Sequence, residues 1–192
     1  MDFSENIVLQ NDTVLLRPLM EGDYEDLKNI AFNPDIWKYN VTSAVNEQEL
    51  KKWMDDSIEA RKNQLRYPFT IESKRTNKVV GSTSIGNISL TDKRAEIGWT
   101  WLGSGFHGTG INKQCKFLLL QHLIDVLNFE RVEFKTDLLN IKSRRALKNI
   151  GATEEGILRS HTLMHDGRRR DTIYFSILIS EWLTIKKKIF GK

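Results

Sequence analysis

Between Leu102 and Ile111 the chain reads Gly103-Ser104-Gly105-Phe106-His107-Gly108-Thr109-Gly110, four glycines in eight residues. A glycine-rich stretch that leads from a strand into a helix exposes backbone N–H groups with no partner inside the helix, and the helix dipole adds partial positive charge there. Glycine lets an anion approach the backbone to hydrogen-bonding distance and lets the chain take positive φ. The chemistry such a loop offers is phosphate binding. Gly103, Gly105 and Gly108 also fit G-x-G-x-x-G, the dinucleotide fingerprint, and Asp137 closes the next strand, where a ribose-binding acid would stand. The surroundings oppose an oxidoreductase, because a doubly wound sheet needs several consecutive β-α units and this chain offers one. No G-K-[ST] follows, so a nucleoside-triphosphate loop is not expected.

The other reactive side chains are few. The single cysteine, Cys115, cannot close an internal disulfide or build a zinc site alone, and one turn into the helix it reads as packing. His122 reads as a hydrogen-bonded core histidine, and His165, at a hairpin tip, as solvated. Neither has partners at metal-ligand spacing, so no metal is expected.

The elements that must position the loop follow from periodicity. Thr13–Leu19 is β-rich, and Gly22-Asp23 caps a short helix through Phe32, with Asp23 accepting from its first turn. Leu50, Trp53, Met54 and Ile58 fall at helical spacing within 46–63. Tyr67, Phe69 and Ile71 alternate with polar or turn residues, and Thr76-Asn77-Lys78 turns the chain into Val79–Ile85, a hairpin. Ala95–Leu102 is a third strand, followed by the glycine loop and a helix from about Gly110 to Leu127 with an apolar face of Ile111, Cys115, Leu118, Leu119, His122, Leu123 and Val126. Arg131–Asp137 is the next strand, giving one β-α-β crossover with parallel strands. Asn140–Ile150 makes a short helix stopped by Gly151, and Asp166-Gly167 joins a final hairpin of Gly156–His165 and Arg168–Ile179. The fold class is α+β: a mixed, mainly antiparallel sheet with one parallel crossover and flanking helices.

At 192 residues, with no repeat or linker, a single domain with a core from about 13 to 182 is expected, loose at both ends, and the closing Lys186, Lys187, Lys188 and Lys192 read as a solvated tail. The net charge of +4 is compatible with an anionic cofactor or with RNA. No stretch is long and apolar enough for a membrane span and the start lacks a signal-peptide pattern, so a cytoplasmic protein with no membrane partner is expected.

The opening LLRPLMEGDYEDL, the loop and helix FHGTGINKQCKFLLLQHL, the stretch from Asn140 to Ala152 and the final EEGILRSHTLMHDGRRRDTIYFSIL with Glu181-Trp182 occur in the order of a known family. Over nearly its whole length the sequence resembles the GNAT superfamily of acyl-CoA N-acyltransferases, most closely the RimJ/RimL branch of ribosomal-protein N-terminal acetyltransferases. The resemblance implies acetyl-CoA as cosubstrate, with its pyrophosphate on the backbone of His107, Gly108, Thr109, Gly110, Ile111 and Asn112. The family's loop reads Gln/Arg-x-x-Gly-x-Gly/Ala; His107 and Asn112 depart from it, and Gln114 stands where the branch often has Glu. The pantetheine arm is expected beside Thr100, Trp101 and Leu102, between splayed parallel strands. Asn140 and Ser143 would flank the arm and the thiol, and Arg144 would meet a phosphate; a helix N-cap is the plainer role for Asn140.

Aminolysis of a thioester needs a neutral amine, a path for its proton, stabilisation of the oxyanion and protonation of the leaving thiolate. Glu96 resembles the position from which many family members take the amine proton through water; a surface ion pair with Arg94 is its bland alternative. Ser143 is the candidate acid or thiol-positioning hydroxyl, because Leu147 stands where other branches place a tyrosine; a structural helix serine is the alternative. Backbone N–H groups near Trp101 and Leu102 would polarise the thioester carbonyl. An α-amine with pKa 7.7–8.0 is neutral in about one molecule in ten at pH 7, a lysine in about one in several thousand, which favours a protein N-terminus as acceptor. Small amines such as a polyamine, an amino acid or an antibiotic stay open, as does a catalytically silent member that binds CoA or RNA. Acceptor contacts are expected from the helices within 30–62 and from Arg159, His161 and Arg168, with Trp37 and Tyr39 either lining the mouth or packed in the core. A homodimer is compatible with the sequence, and no nucleic-acid partner is expected.

Overall fold

The computed structural model describes residues 1–192. Eight strands form one sheet: β1 (Leu9–Gln10), β2 (Val14–Pro18), β3 (Arg66–Ser73), β4 (Lys78–Ser89), β5 (Arg94–Leu102), β6 (Arg131–Asp137), β7 (Thr153–Leu163) and β8 (Arg169–Leu178). Their order is β1-β2-β3-β4-β5-β6-β8-β7, and every pairing is antiparallel except β5 with β6. The expected α+β class with a single parallel crossover is what the chain adopts.

The helices are α1 (Tyr24–Ala31), α2 (Pro34–Trp37), α3 (Glu47–Lys62), α4 (Ile111–Gln121), α5 (Ile141–Asn149) and α6 (Ile179–Phe190). Successive strand residues face opposite sides, so each strand feeds two layers. On one side Leu102, Phe134, Phe175 and Ile177 pack with Ile111, Cys115 and Leu119 of α4, Leu147 of α5 and Trp182 of α6. On the other, Trp101 packs with Leu27, Trp37, Leu50, Trp53 and Met54 of α1–α3. These three helices make their main contacts with the sheet at β3, β4 and β5. Beyond β5 the same face of β6 and β8 carries the cross-strand pairs Glu133/Ser176, Lys135/Tyr174 and Asp137/Thr172.

Several expectations are corrected. Asp23 does not accept from the first turn of α1; its buried carboxylate is drawn into the sheet by Arg17 (2.6 and 3.0 Å), Thr70 (2.7 Å) and the Met20 amide (2.9 Å). The amino terminus is not loose: Tyr67 Oη donates to the Glu5 carbonyl (2.7 Å) and accepts from the Ile7 amide (2.9 Å), and Met1, Phe3 and Ile7 pack on the core. The carboxyl end is not a free tail, although Lys187, Lys188 and Lys192 are exposed as expected. It is α6, whose Trp182 Nε1 and Lys186 Nζ both donate to Asp125 at 2.7 Å, while Phe190 stacks on Phe117. The long central helix is not uniform either: α4 gives way at His122 to a π-helical turn, His122–Val126. The wider turn shifts the side-chain register, and Val126 lies exposed instead of on the apolar face.

Candidate active site

Strands β5 and β6 pair only over Arg94–Glu96 with Arg131–Glu133. Past that point β5 keeps its bonds to β4, but its other edge has no strand beside it. The divergence coincides with a bulge: the register slips between Ser82 and Ser84, and Trp99 sits at φ 51°, in the left-handed region. Gly103 N donates to Val80 O, so by antiparallel alternation the Leu102 amide and carbonyl face the gap. His107 Nε2 reaches that carbonyl at 3.1 Å and so ties the glycine loop to the end of β5.

At the mouth of the gap α4 begins. Gly108 and Gly110 hold φ values of 75° and 87°, and the first bond of the helix is Gln114 N to Gly110 O. The amides of Gly108 to Lys113 therefore have no backbone acceptor, which is the arrangement an anion requires. Nothing stands within 4 Å of the place a Cβ would occupy at Gly105, Gly108 or Gly110, so the approach is open. Thr109 Oγ1 is spent on the Phe106 carbonyl (2.7 Å), and Asn112 Oδ1 is buried with no partner. Gln114 accepts from Asn11 (2.9 Å), which gives the amide in place of the branch's glutamate a neutral structural role. These donors and this gap fit a pyrophosphate with a linear arm.

Glu96 sits where the strands part. It is buried, and its partners are Lys135 Nζ (2.8 Å) and Asn87 Nδ2 (2.6 Å), both on Oε2. Arg94, the expected partner, pairs with Asp92 (3.4 Å) and Glu133 (3.9 Å) instead, because on this parallel pair Lys135 reaches across the gap to Glu96. Glu96 Oε1 has no protein partner and is not sealed from solvent. Asn140 does cap α5, accepting from Ser143 N at 3.0 Å, and the Ser143 hydroxyl has no protein partner. Arg144 donates to the Leu138 carbonyl (3.2 Å), with its Nε buried and unpartnered, so it is tied to the turn before α5 and makes no bond to the glycine loop. Trp101 is a core residue at 5.1 Å from Trp37 and 5.5 Å from Trp53, ring centre to ring centre.

Trp37 is buried, with Nε1 donating to Ala31 O (2.8 Å), whereas Tyr39 is half-buried at the surface. The tip of the β7–β8 hairpin folds toward them: Met164 is buried, and His165, exposed as expected, has its Nε2 3.3 Å from the Trp37 carbonyl. Arg168 bonds the fully buried Asp137, and His161 Nδ1 lies 3.1 Å from Thr172 Oγ1. Arg159 is exposed on β7. Burial pushes the Cys115 thiol up to about 12, consistent with packing and not with a nucleophile. His122 is half-buried, its Nε2 has no partner, and burial lowers its pKa, so it is not the hydrogen-bonded core histidine expected.

Sequence reasoning missed Lys116. Its Nζ donates to Thr100 Oγ1 (2.7 Å), which in turn lies 2.7 Å from Thr83 Oγ1, directly beneath the bulge of β5. Burial pulls this ammonium down to about 8. The signal was present: one charge inside the buried run Cys115–Leu120. Lys135, Arg170 and Tyr174 were also passed over, because polar residues alternating along a strand read as a solvated face.

A strand that loses its parallel neighbour beside an amide-rich helix start is the architecture of an acyl-CoA transferase. Residues 13–153 match the family model described as "Acetyltransferase (GNAT) domain", and the chain belongs to that family of N-acetyltransferases. It is 28% identical over 179 residues, 91% of this chain and 97% of the relative, to "Uncharacterized N-acetyltransferase p20" of Bacillus licheniformis. A crystal structure of a GCN5-related N-acetyltransferase from Brucella melitensis superposes with a TM-score of 0.90 at 27% identity, covering 99% of this chain and 86% of that one. RimJ of Mycobacterium smegmatis, solved in complex with CoA-disulfide, shares the fold at a TM-score of 0.77 and 23% identity, over 92% of this chain and 88% of that one. No helix is long and apolar enough to cross a membrane.

Proposed function

We propose that this N-acetyltransferase passes the acetyl group of acetyl-CoA directly to the α-amine of a protein N-terminus, with both substrates bound together. The observation that carries the reading is the gap that opens after Glu96, with unpartnered amides at one end and a carboxylate oxygen free to accept at the other. The amides of Gly108 to Asn112 hold the pyrophosphate, and the free edge of Thr100 to Leu102 pairs with the pantetheine arm as an added strand would. Acetyl-CoA supplies the activated thioester. Glu96 Oε1 takes the amine proton through water while Lys135 and Asn87 hold Oε2 and fix the carboxylate's orientation. The unbonded Ser143 hydroxyl is placed, by the pattern of the family, to protonate or position the thiol. An α-amine asks less of the base than a lysine, which supports the N-terminal acceptor.

Glu96→Gln tests the base. With N-terminal peptides as acceptors and thiol release as the readout, the variant is expected to lose the acidic limb of the kcat/KM profile and at least tenfold in kcat, with acetyl-CoA affinity by calorimetry held within about twofold. An unchanged acidic limb removes Glu96 from the mechanism. Lysine side chains or polyamines turned over faster than α-amines would replace the proposed acceptor.

A further inference from the structure

Arg170 lies on β8, on the face of the sheet that α1–α3 contact mainly at β3–β5, in line with Thr172 and Tyr174. Its residue is only 8% exposed, yet its one protein bond is Nε to Thr172 Oγ1 at 2.9 Å. Neither terminal guanidinium nitrogen has an acceptor in the protein, and neither is among the sealed unpartnered atoms, so both open into the space above the sheet. A buried arginine stem with an unanswered fork is costly unless something outside the chain answers it.

Each neighbouring carboxylate already has a cationic partner. Asp137 is fully buried; its Oδ2 is taken by Arg168, and its Oδ1 accepts the Leu139 amide at 2.9 Å. Glu96, the next acid facing Arg170, has its Oε2 taken by Lys135 and Asn87, and its open Oε1 is the oxygen assigned to the amine. Two carboxylates thus stand against Lys135, Arg168 and Arg170, so the cluster holds surplus positive charge, and Arg170 is the arginine whose two terminal guanidinium nitrogens both lack a protein acceptor. Burial draws the Arg170 pKa down, while Asp137 and then Glu96 oppose that shift; Arg168 adds to it, and Tyr174 completes the facing groups. An arginine stays charged throughout.

This fork lies on the acceptor side. Glu133, level with Glu96, and Asp137, level with Thr172, are four residues apart on β6, about 13 Å. Arg170 folds back along this line toward Thr172, and the hairpin tip that carries His165 against Trp37 walls the far end. An amine at Glu96 thus leaves the rest of its molecule pointing at the guanidinium. We propose that Arg170 binds a carboxylate of the acceptor, so that the enzyme selects amines carrying an acidic group on the same or the next residue. Two parallel N–H donors match a carboxylate's two oxygens, which neither water nor a neutral amide reproduces. The inference rests on the reading of Glu96 as the amine's base.

The test compares acceptor pairs on the full chain at saturating acetyl-CoA. Peptides beginning with Asp or Glu are set against the same peptides beginning with Asn or Gln, and free amino acids against their amides. The acidic member of at least one pair is expected to show kcat/KM tenfold or more above its neutral twin, mostly through KM. The pair that discriminates tells whether the carboxylate is a side chain or an α-carboxylate. Arg170→Gln should bring that ratio to about one, and Arg170→Lys should restore part of it. Equal turnover of both members of every pair by the unaltered enzyme overturns the inference alone. No turnover of any α-amine overturns the reading of the acceptor and this inference with it.

Discussion

Lys116 shows how a single side chain can trade stability for position. Its pKa falls from 10.5 to about 8 because the charged form is buried with one hydroxyl for company. Between those values the unfolded chain binds more protons than the native one, so native stability rises as pH climbs from about 8 to about 10.5. Below pH 8 the full cost of the buried charge, on the order of 3 kcal/mol, is present. Lys116→Met removes that cost and keeps the volume. Thermal unfolding should give a higher Tm than the unaltered protein at pH 7, with the difference shrinking toward pH 10.5. A lower Tm at pH 7 would mean that the bond to Thr100 outweighs the desolvation. Glu96, Ser143 and Asn140 stood out as residues of interest through the family resemblance, which fixes positions along the chain. Their partners did not: Lys135 pairs with Glu96 only because two parallel strands separate just there.

Among the elements, the β4–β5 pair carries the site. Gly81 lies opposite Leu102, and a Cβ at Gly81 would stand 2.1 Å from the Trp101 carbonyl oxygen and 2.9 Å from Leu102 Cα. Both are backbone atoms, which cannot turn aside as a side chain would. Gly81→Ala should therefore cost about 2 kcal/mol or more in urea unfolding and, by pushing β5 toward the gap, weaken acetyl-CoA binding in calorimetry. A variant as stable as the parent, binding equally well, would show that β5 moves freely. Strands and the amphipathic α3 were readable from periodicity. The π-turn at His122 and the docking of α6 were not, because each depends on what lies across from it. The run Lys186–Lys188 reads as a tail until Asp125 and Phe117 are seen beneath that helix.

On the scale of the whole molecule, the net charge of +4 gathers meaning from its placement. Lys116 lies beneath the bulge of β5, and Arg168 and Arg170 stand on the opposite face of the sheet, so both faces of the gap present positive charge to anionic ligands. Such fields speed association and are screened by salt. The kcat/KM for acetyl-CoA should fall several-fold between about 0.02 and 0.3 M NaCl while kcat changes little. A salt-independent kcat/KM would mean that the charges act only at contact range.

Local chemistry was sufficient for the glycine loop, the strand–loop–helix order and the α+β class, because backbone freedom, helix periodicity and strand alternation are properties of neighbours along the chain. Only the folded sheet decided that Glu96 would be buried beside Lys135, that Lys116 would sit under Thr100, and that Arg170 would keep an open fork. Each of those results depends on which strands part and where the helices pack, and such long-range packing leaves no periodic mark on the residues it brings together.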